Sequence, residues 1–152
     1  MIHGDILGER ARISPADAAL VEVASGRRFT YRELDERATA CAAAWRRTLG
    51  LEPGDRIALL SGNRVEFVDC FFAAAKSGVI LVPLNSRLAV RELAGILSDS
   101  GARILMVDGD HEDEAAAPAA EDAGLRLIHL GGAGEASFAD LGGGADVTGF
   151  DR

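Results

Sequence analysis

Residues 56–82 read RIALLSGNRVEFVDCFFAAAKSGVILV, and the architecture follows from this stretch. Arg56 to Leu60 is an apolar run without alternation, which predicts a buried strand. Asn63 and Glu66 have the spacing of a helix-opening pair, a side-chain cap followed three residues later by a carboxylate. The helix they predict runs from Arg64 to Ser77. Val65, Val68, Phe72 and Ala75 lie on one stripe of it and Phe67 and Phe71 on the next, an apolar surface wide enough to be covered on more than one side. Gly78 supplies the stop. Val79 to Val82 is again a continuous apolar strand, so the stretch reads strand, helix, strand.

The pattern continues in both directions. Towards the N-terminus, Ala18 to Val23 predicts a short strand, Ser25-Gly26 a turn, and a second short strand ends near Thr30. Thr30 and Glu33 form a capping box. The helix behind it spans Tyr31 to Leu49, with Tyr31, Leu34, Ala38, Cys41, Ala42, Trp45 and Leu49 on one face and Gly50 as its stop. Pro53-Gly54-Asp55 is a turn. Towards the C-terminus, a helix at Ala89 to Ser100 is built on Val90, Leu93, Ile96 and Leu97 and closed by Gly101. Arg103 to Val107 is a strand, and Leu125 to Leu130 is the last strand. Between them, residues 111–123 are acidic and alanine-rich, and Pro118 is expected to kink or interrupt any helix there. Strands apolar throughout, alternating with helices, predict an α/β fold: a mostly parallel sheet with helices on both faces, doubly wound. Residues 1–130 are expected to form that unit, and residues 131–152, with glycine clusters at Gly131-Gly132 and Gly142-Gly143-Gly144, a flexible tail.

Composition narrows the function classes. The chain has 152 residues, 48% hydrophobic and 26% charged, which fits one packed globular unit. A net charge of −8 with no basic run argues against nucleic acid as a partner. No basic segment followed by an apolar run opens the sequence, and no apolar stretch is long enough to span a membrane, so a cytoplasmic protein is expected. Cys41 and Cys70 fall inside predicted helices with no nearby ligand partner, which predicts buried free thiols and no zinc site.

Candidate chemistry is sparse. No serine or cysteine is spaced to pair with His3, His111 or His129, which argues against a hydrolase triad. Asp108, Asp110, Glu112, Asp113 and Glu114 lack the calcium-loop pattern and read as a solvated helix start, where carboxylates meet the positive end of the dipole. Gly132-Ala133-Gly134 begins like a dinucleotide fingerprint but has neither its third glycine nor a following βαβ unit. Lys76 sits in a helix's last turn, where its charge complements the dipole. No metal-binding set and no catalytic residue emerge from spacing.

Phe29-Thr30-Tyr31-Arg32-Glu33-Leu34 resembles the first motif of the AMP-forming adenylate enzymes, and Ala75 to Asn85 resembles the second. Asn85-Ser86-Arg87-Leu88 is similar to the Asn-Pro-Arg-Leu turn of acyl-CoA synthetases, with Ser86 in place of proline. The resemblance spans about Ala18 to Asp108. It implies the start of the large N-terminal domain of an acyl-CoA synthetase, which joins a carboxylic acid to CoA through an acyl-adenylate, with ATP, Mg²⁺ and CoA as the complete enzyme's cofactors. It also implies that Arg87 lies near the CoA nucleotide. The family's phosphate loop, adenine segment and C-terminal lysine do not occur in these residues. An N-terminal portion inactive by itself is therefore expected, with self-association through uncovered apolar faces. The alternative is a truncated, non-enzymatic paralogue serving as an interaction or regulatory module.

Overall fold

The computed structural model describes residues 5–121 and 124–130. Twelve elements follow in order: α1 (Ile6–Ile13), β1 (Ala18–Val21), β2 (Arg28–Thr30), α2 (Tyr31–Arg47), β3 (Arg56–Leu60), α3 (Val65–Ser77), β4 (Ile80–Pro83), α4 (Val90–Ser100), β5 (Ile104–Asp108), a 3₁₀ turn (Gly109–His111), α5 (Glu112–Glu121) and β6 (Arg126–Leu130). Strands β3 to β6 form one parallel sheet in the order β4-β3-β5-β6, while β1 and β2 make a separate antiparallel hairpin.

The expected α/β architecture, a parallel sheet with helices on both faces, is present. Alternate residues of β3 and β5 feed opposite cores. Ile57, Leu59, Ile104 and Met106 join Cys41, Trp45, Cys70 and Ala73 of α2 and α3 on one face. Ala58, Leu60, Leu105 and Val107 join Leu93 and Leu97 of α4 and Ala115 of α5 on the other. A third cluster seats α1 and the hairpin against the same helix pair, through Leu7, Phe29, Leu34, Ala38 and Val65.

Local signals formed as read where they depended on near neighbours. The Thr30 hydroxyl accepts from the Glu33 amide at 3.2 Å, and the Glu33 carboxylate accepts from the Thr30 amide at 2.7 Å, the capping box that opens α2. Gly78 closes α3 at φ 76°, a conformation in which an L side chain is strained, and a Cβ there would sit 3.0 Å from Pro53 Cβ. Cys41 and Cys70 are buried free thiols.

Several readings are corrected. Asn63 does not cap α3: the N-cap is Arg64, which makes no side-chain cap bond, and Glu66 turns back to the Arg64 Nε at 2.8 Å instead. The fully buried residues of α3 are Val65, Asp69, Cys70, Ala73, Ala74 and Ser77; the helix is covered on more than one side as expected, with Phe67 packed against one cluster and Val68 and Phe72 against another, but Phe71 is 56% exposed. Small residues, Ala42, Ala73 and Ala74 among them, share the core between α2 and α3, and a charged pair replaces apolar surface where Asp69 meets Arg37. On α4, Leu93 and Leu97 are buried while Val90 and Ile96 are exposed. Helix α5 runs through Pro118 without interruption, although proline supplies no N–H there and its ring crowds the carbonyl four residues back. Helix α1 escaped the sequence reading because Leu7 is its only buried residue and gives no periodicity. The glycine-rich residues 131–152 and His3 lie outside the described residues.

Candidate functional site

Because β3 to β6 are parallel, their C-terminal ends and following loops share one edge of the sheet. From β3 the chain steps to β4 on one side through α3, then returns across β3 to β5 and β6 on the other. The reversal leaves a crevice between the C-terminal ends of β3 and β5, the place where open α/β sheets bind ligands. Three loops leave this edge of the sheet: Ser61 to Arg64 after β3, Leu84 to Ala89 after β4, and Gly109 to His111 after β5; the first and third meet through Asp108.

Asp108, the last residue of β5, organises the crevice. It is 2% exposed. Its Oδ2 accepts from the Ser61 hydroxyl at 3.0 Å and the Gly62 amide at 2.7 Å, and its Oδ1 lies 2.5 Å from His111 Nδ1. Burial by itself would raise the Asp108 pKa, but His111, the Gly62 amide and the Ser61 hydroxyl outweigh it and hold the carboxyl below its usual range. The solvated helix start read for the acidic run therefore holds for exposed Asp110, Glu112 and Asp113, but not for Asp108. Ser61 and His111 both bond to the aspartate. A nucleophile–base pair needs the serine hydroxyl on the imidazole, so the trio clamps two loops and is no triad. Nearby, His129 Nδ1 meets Glu112 Oε1 at 2.9 Å.

Arg87 lies on the same edge, exposed, in the turn between β4 and α4. Asn85 shapes that turn, its Oδ1 accepting from the Arg87 amide at 3.0 Å. Among the described residues no ion pair uses the Arg87 guanidinium, whereas Arg64 is engaged by Glu66.

Three further ion pairs join elements away from this edge. Lys76 Nζ reaches Asp5 at 2.8 Å and Asp35 at 2.6 Å, tying α3 to the start of α1 and to α2. Sequence placed it only as a complement to the helix dipole. Arg37 grips Asp69 through two bonds of 3.0 and 2.6 Å. Burial raises the Asp69 pKa, and Arg37 offsets that only in part. These pairs escaped the sequence reading because their partners lie on other elements.

Among the described residues no group of three or more His, Cys, Asp or Glu could hold a metal ion, and no helix is long and apolar enough to cross a membrane.

A parallel sheet in the order β4-β3-β5-β6 with helices on both faces defines a protein of the open, doubly wound α/β class. The sequence matches the AMP-binding enzyme family over residues 7–140, and the chain belongs to that family. It is 44% identical to the long-chain-fatty-acid–CoA ligase FadD13 of Mycobacterium tuberculosis over 103 residues, 68% of this chain and 20% of that protein. It is 40% identical to a feruloyl-CoA synthase of Amycolatopsis over 131 residues, 86% of this chain and 25% of that protein. The inhibitor-bound N-terminal domain of FACL13 from M. tuberculosis superposes with a TM-score of 0.84 at 35% identity, covering 95% of this chain and 36% of that one. The chain thus spans a fifth of one of these curated relatives and a quarter of the other.

Proposed function

We propose that this chain is the opening part of an acyl-CoA synthetase's large domain, residues 1–130 forming its first α/β unit. The complete enzyme would join a carboxylic acid to AMP with release of pyrophosphate, then pass the acyl group to the thiol of CoA. The family match through every described element carries this reading, supported by relatives named as CoA ligases and a CoA synthase.

The contribution of these residues is positional. The sheet presents the loops after β3, β4 and β5 on one edge, and Asp108 locks two of them together. ATP and Mg²⁺ supply the activating chemistry in such enzymes, but the described residues offer no fit to them. The carboxylate at the crevice, Asp108, is fully occupied by Ser61, Gly62 and His111. Lys76, the chain's one lysine, is held by Asp5 and Asp35. For CoA the fit is one residue: Arg87, exposed and outside every ion pair described above, would reach a phosphate of the nucleotide.

Two measurements test the reading. Grafted into FadD13 in place of its matching segment, this sequence should leave acyl-CoA formation measurable; a folded chimaera that makes no acyl-adenylate would refute the assignment. The purified 152-residue polypeptide alone should show no acid-dependent ATP–pyrophosphate exchange. It carries no phosphate loop and no adenine segment, and loss of even one transition-state donor costs roughly 10²–10³-fold.

A further inference from the structure

The sequence holds two cysteines and two methionines, and apart from Met1 all of them meet in one place in the core. The Cys70 thiol of α3 donates to the Met106 thioether of β5 at 3.8 Å. The Cys41 thiol of α2 interacts directly with that of Cys70. All three side chains belong to the cluster beneath α2 and α3, with Trp45, Leu59 and Ala73 in the same cluster, and none is more than 3% exposed. Both thiols are free.

Sulfur is a soft donor. Magnesium and calcium take oxygen, and zinc takes thiolate, imidazole or carboxylate. Two thiols joined by a thioether instead match soft, monovalent copper. The spacing agrees. An ion about 2.3 Å from each of three sulfurs holds them in a triangle roughly 4 Å on a side, and Cys70 and Met106 already stand 3.8 Å apart. The donors come from three elements, α2, α3 and β5, which the surrounding core holds in place, so the set is assembled before an ion arrives.

We infer that Cys41, Cys70 and Met106 form a copper(I) site that ties α2, α3 and β5 together inside the core. On binding, each cysteine exchanges its S–H bond for a sulfur–copper bond and its proton passes to solvent, because a coordinating thiol is deprotonated outright. The thioether donates a lone pair, and no electron changes hands. Two thiolates and one Cu⁺ leave a single negative charge, which the Arg37 guanidinium, one turn before Cys41 on α2, attracts. Since the sulfurs are buried, copper enters when the helix pair is open, most readily during folding. The site lies apart from the crevice and does not depend on the proposed activity.

Refolding with the metal tests it. The 152-residue chain is refolded from urea with copper(I) supplied anaerobically as a coloured chelate, then freed of excess. It should retain one copper per chain, with three sulfur neighbours in X-ray absorption. It should also unfold at a higher urea concentration than the metal-free chain, since a ligand of the folded state stabilises that state. Met106→Leu conserves volume and should fold. It should show two sulfur neighbours and bind copper at least about tenfold more weakly, the loss that even a ligand's supporting partner brings. Cys41→Ala should lose stoichiometric uptake; if it does not fold, Met106→Leu still decides. Four results would overturn the site: a folded chain that retains no copper, a urea midpoint lowered by copper because the unfolded chain's thiols bind it, a Met106→Leu chain that binds as tightly as the parent, or an apparent mass doubled by copper bridging two chains.

Discussion

At the scale of single residues, two buried carboxylates behave in opposite ways because of what surrounds them. Asp108 is held below its ordinary pKa, so the folded state binds its proton more weakly than the unfolded chain does. Its stabilising contribution is complete above the unfolded value, about 3.9, and fades as pH falls through the lower folded value. Asp108→Asn should cost about 1.5–3 kcal/mol near neutral pH, the range for hydrogen bonds to a charged group. The gap between variant and parent in urea should narrow on acidification towards pH 3, and a gap independent of pH would contradict this role. Asp69 is the reverse case, its pKa raised by burial. Its folded state binds a proton more readily, so it favours the fold below the unfolded value and costs stability as pH rises through the folded one. Arg37→Ala strands that charge and should cost roughly 3–5 kcal/mol at pH 8. Protonation should relieve part of the penalty, so the loss should be smaller at pH 4; equal losses at both pH values would place Asp69 in solvent.

At the scale of elements, helix starts divide into capped and uncapped. Helix α2 begins with a reciprocal box between Thr30 and Glu33. Thr30→Ala should lower stability by about 1 kcal/mol, and an unchanged denaturation midpoint would mean that the hydrogen bond contributes nothing. Helix α3 starts without a side-chain cap, so Asn63→Ala, which removes a residue that caps nothing here, should stay within roughly 0.5 kcal/mol of the parent. A loss near 1 kcal/mol would restore Asn63 as the cap. Much of this level was legible in advance, since caps and glycine stops act over three or four residues. The face that a helix buries was not: α3 offered a broad apolar surface, and packing selected the side carrying Asp69, Cys70 and Ala73.

At the scale of the whole molecule, apolar surface remains uncovered among the described residues. Phe71 and Ile80 are 56% and 51% exposed on α3 and β4. The expected self-association should involve them, as exposed apolar clusters draw chains together. Phe71→Ser should then lower hydrophobic-dye binding and the apparent mass in light scattering at high concentration. A compact monomer that binds no dye, in the parent chain, would show that this surface is tolerated in water.

The sequence by itself determined the alternation of strands and helices, the apolar runs of β3 and β5, the cap of α2 and the glycine stop of α3, together with the motifs that place the chain in its family. These are local signals, read from residues a turn or a strand apart. Tertiary structure alone decided that β5 lies beside β3, and with it that Asp108 meets Ser61 and Gly62, 47 and 46 positions away, to close the crevice. It also decided that Asp69 is buried against Arg37 and that Lys76 bridges three helices. Strand order and the pairing of buried charge depend on which distant segments share a neighbourhood, and the free energy of those contacts exists only once the chain has brought them together.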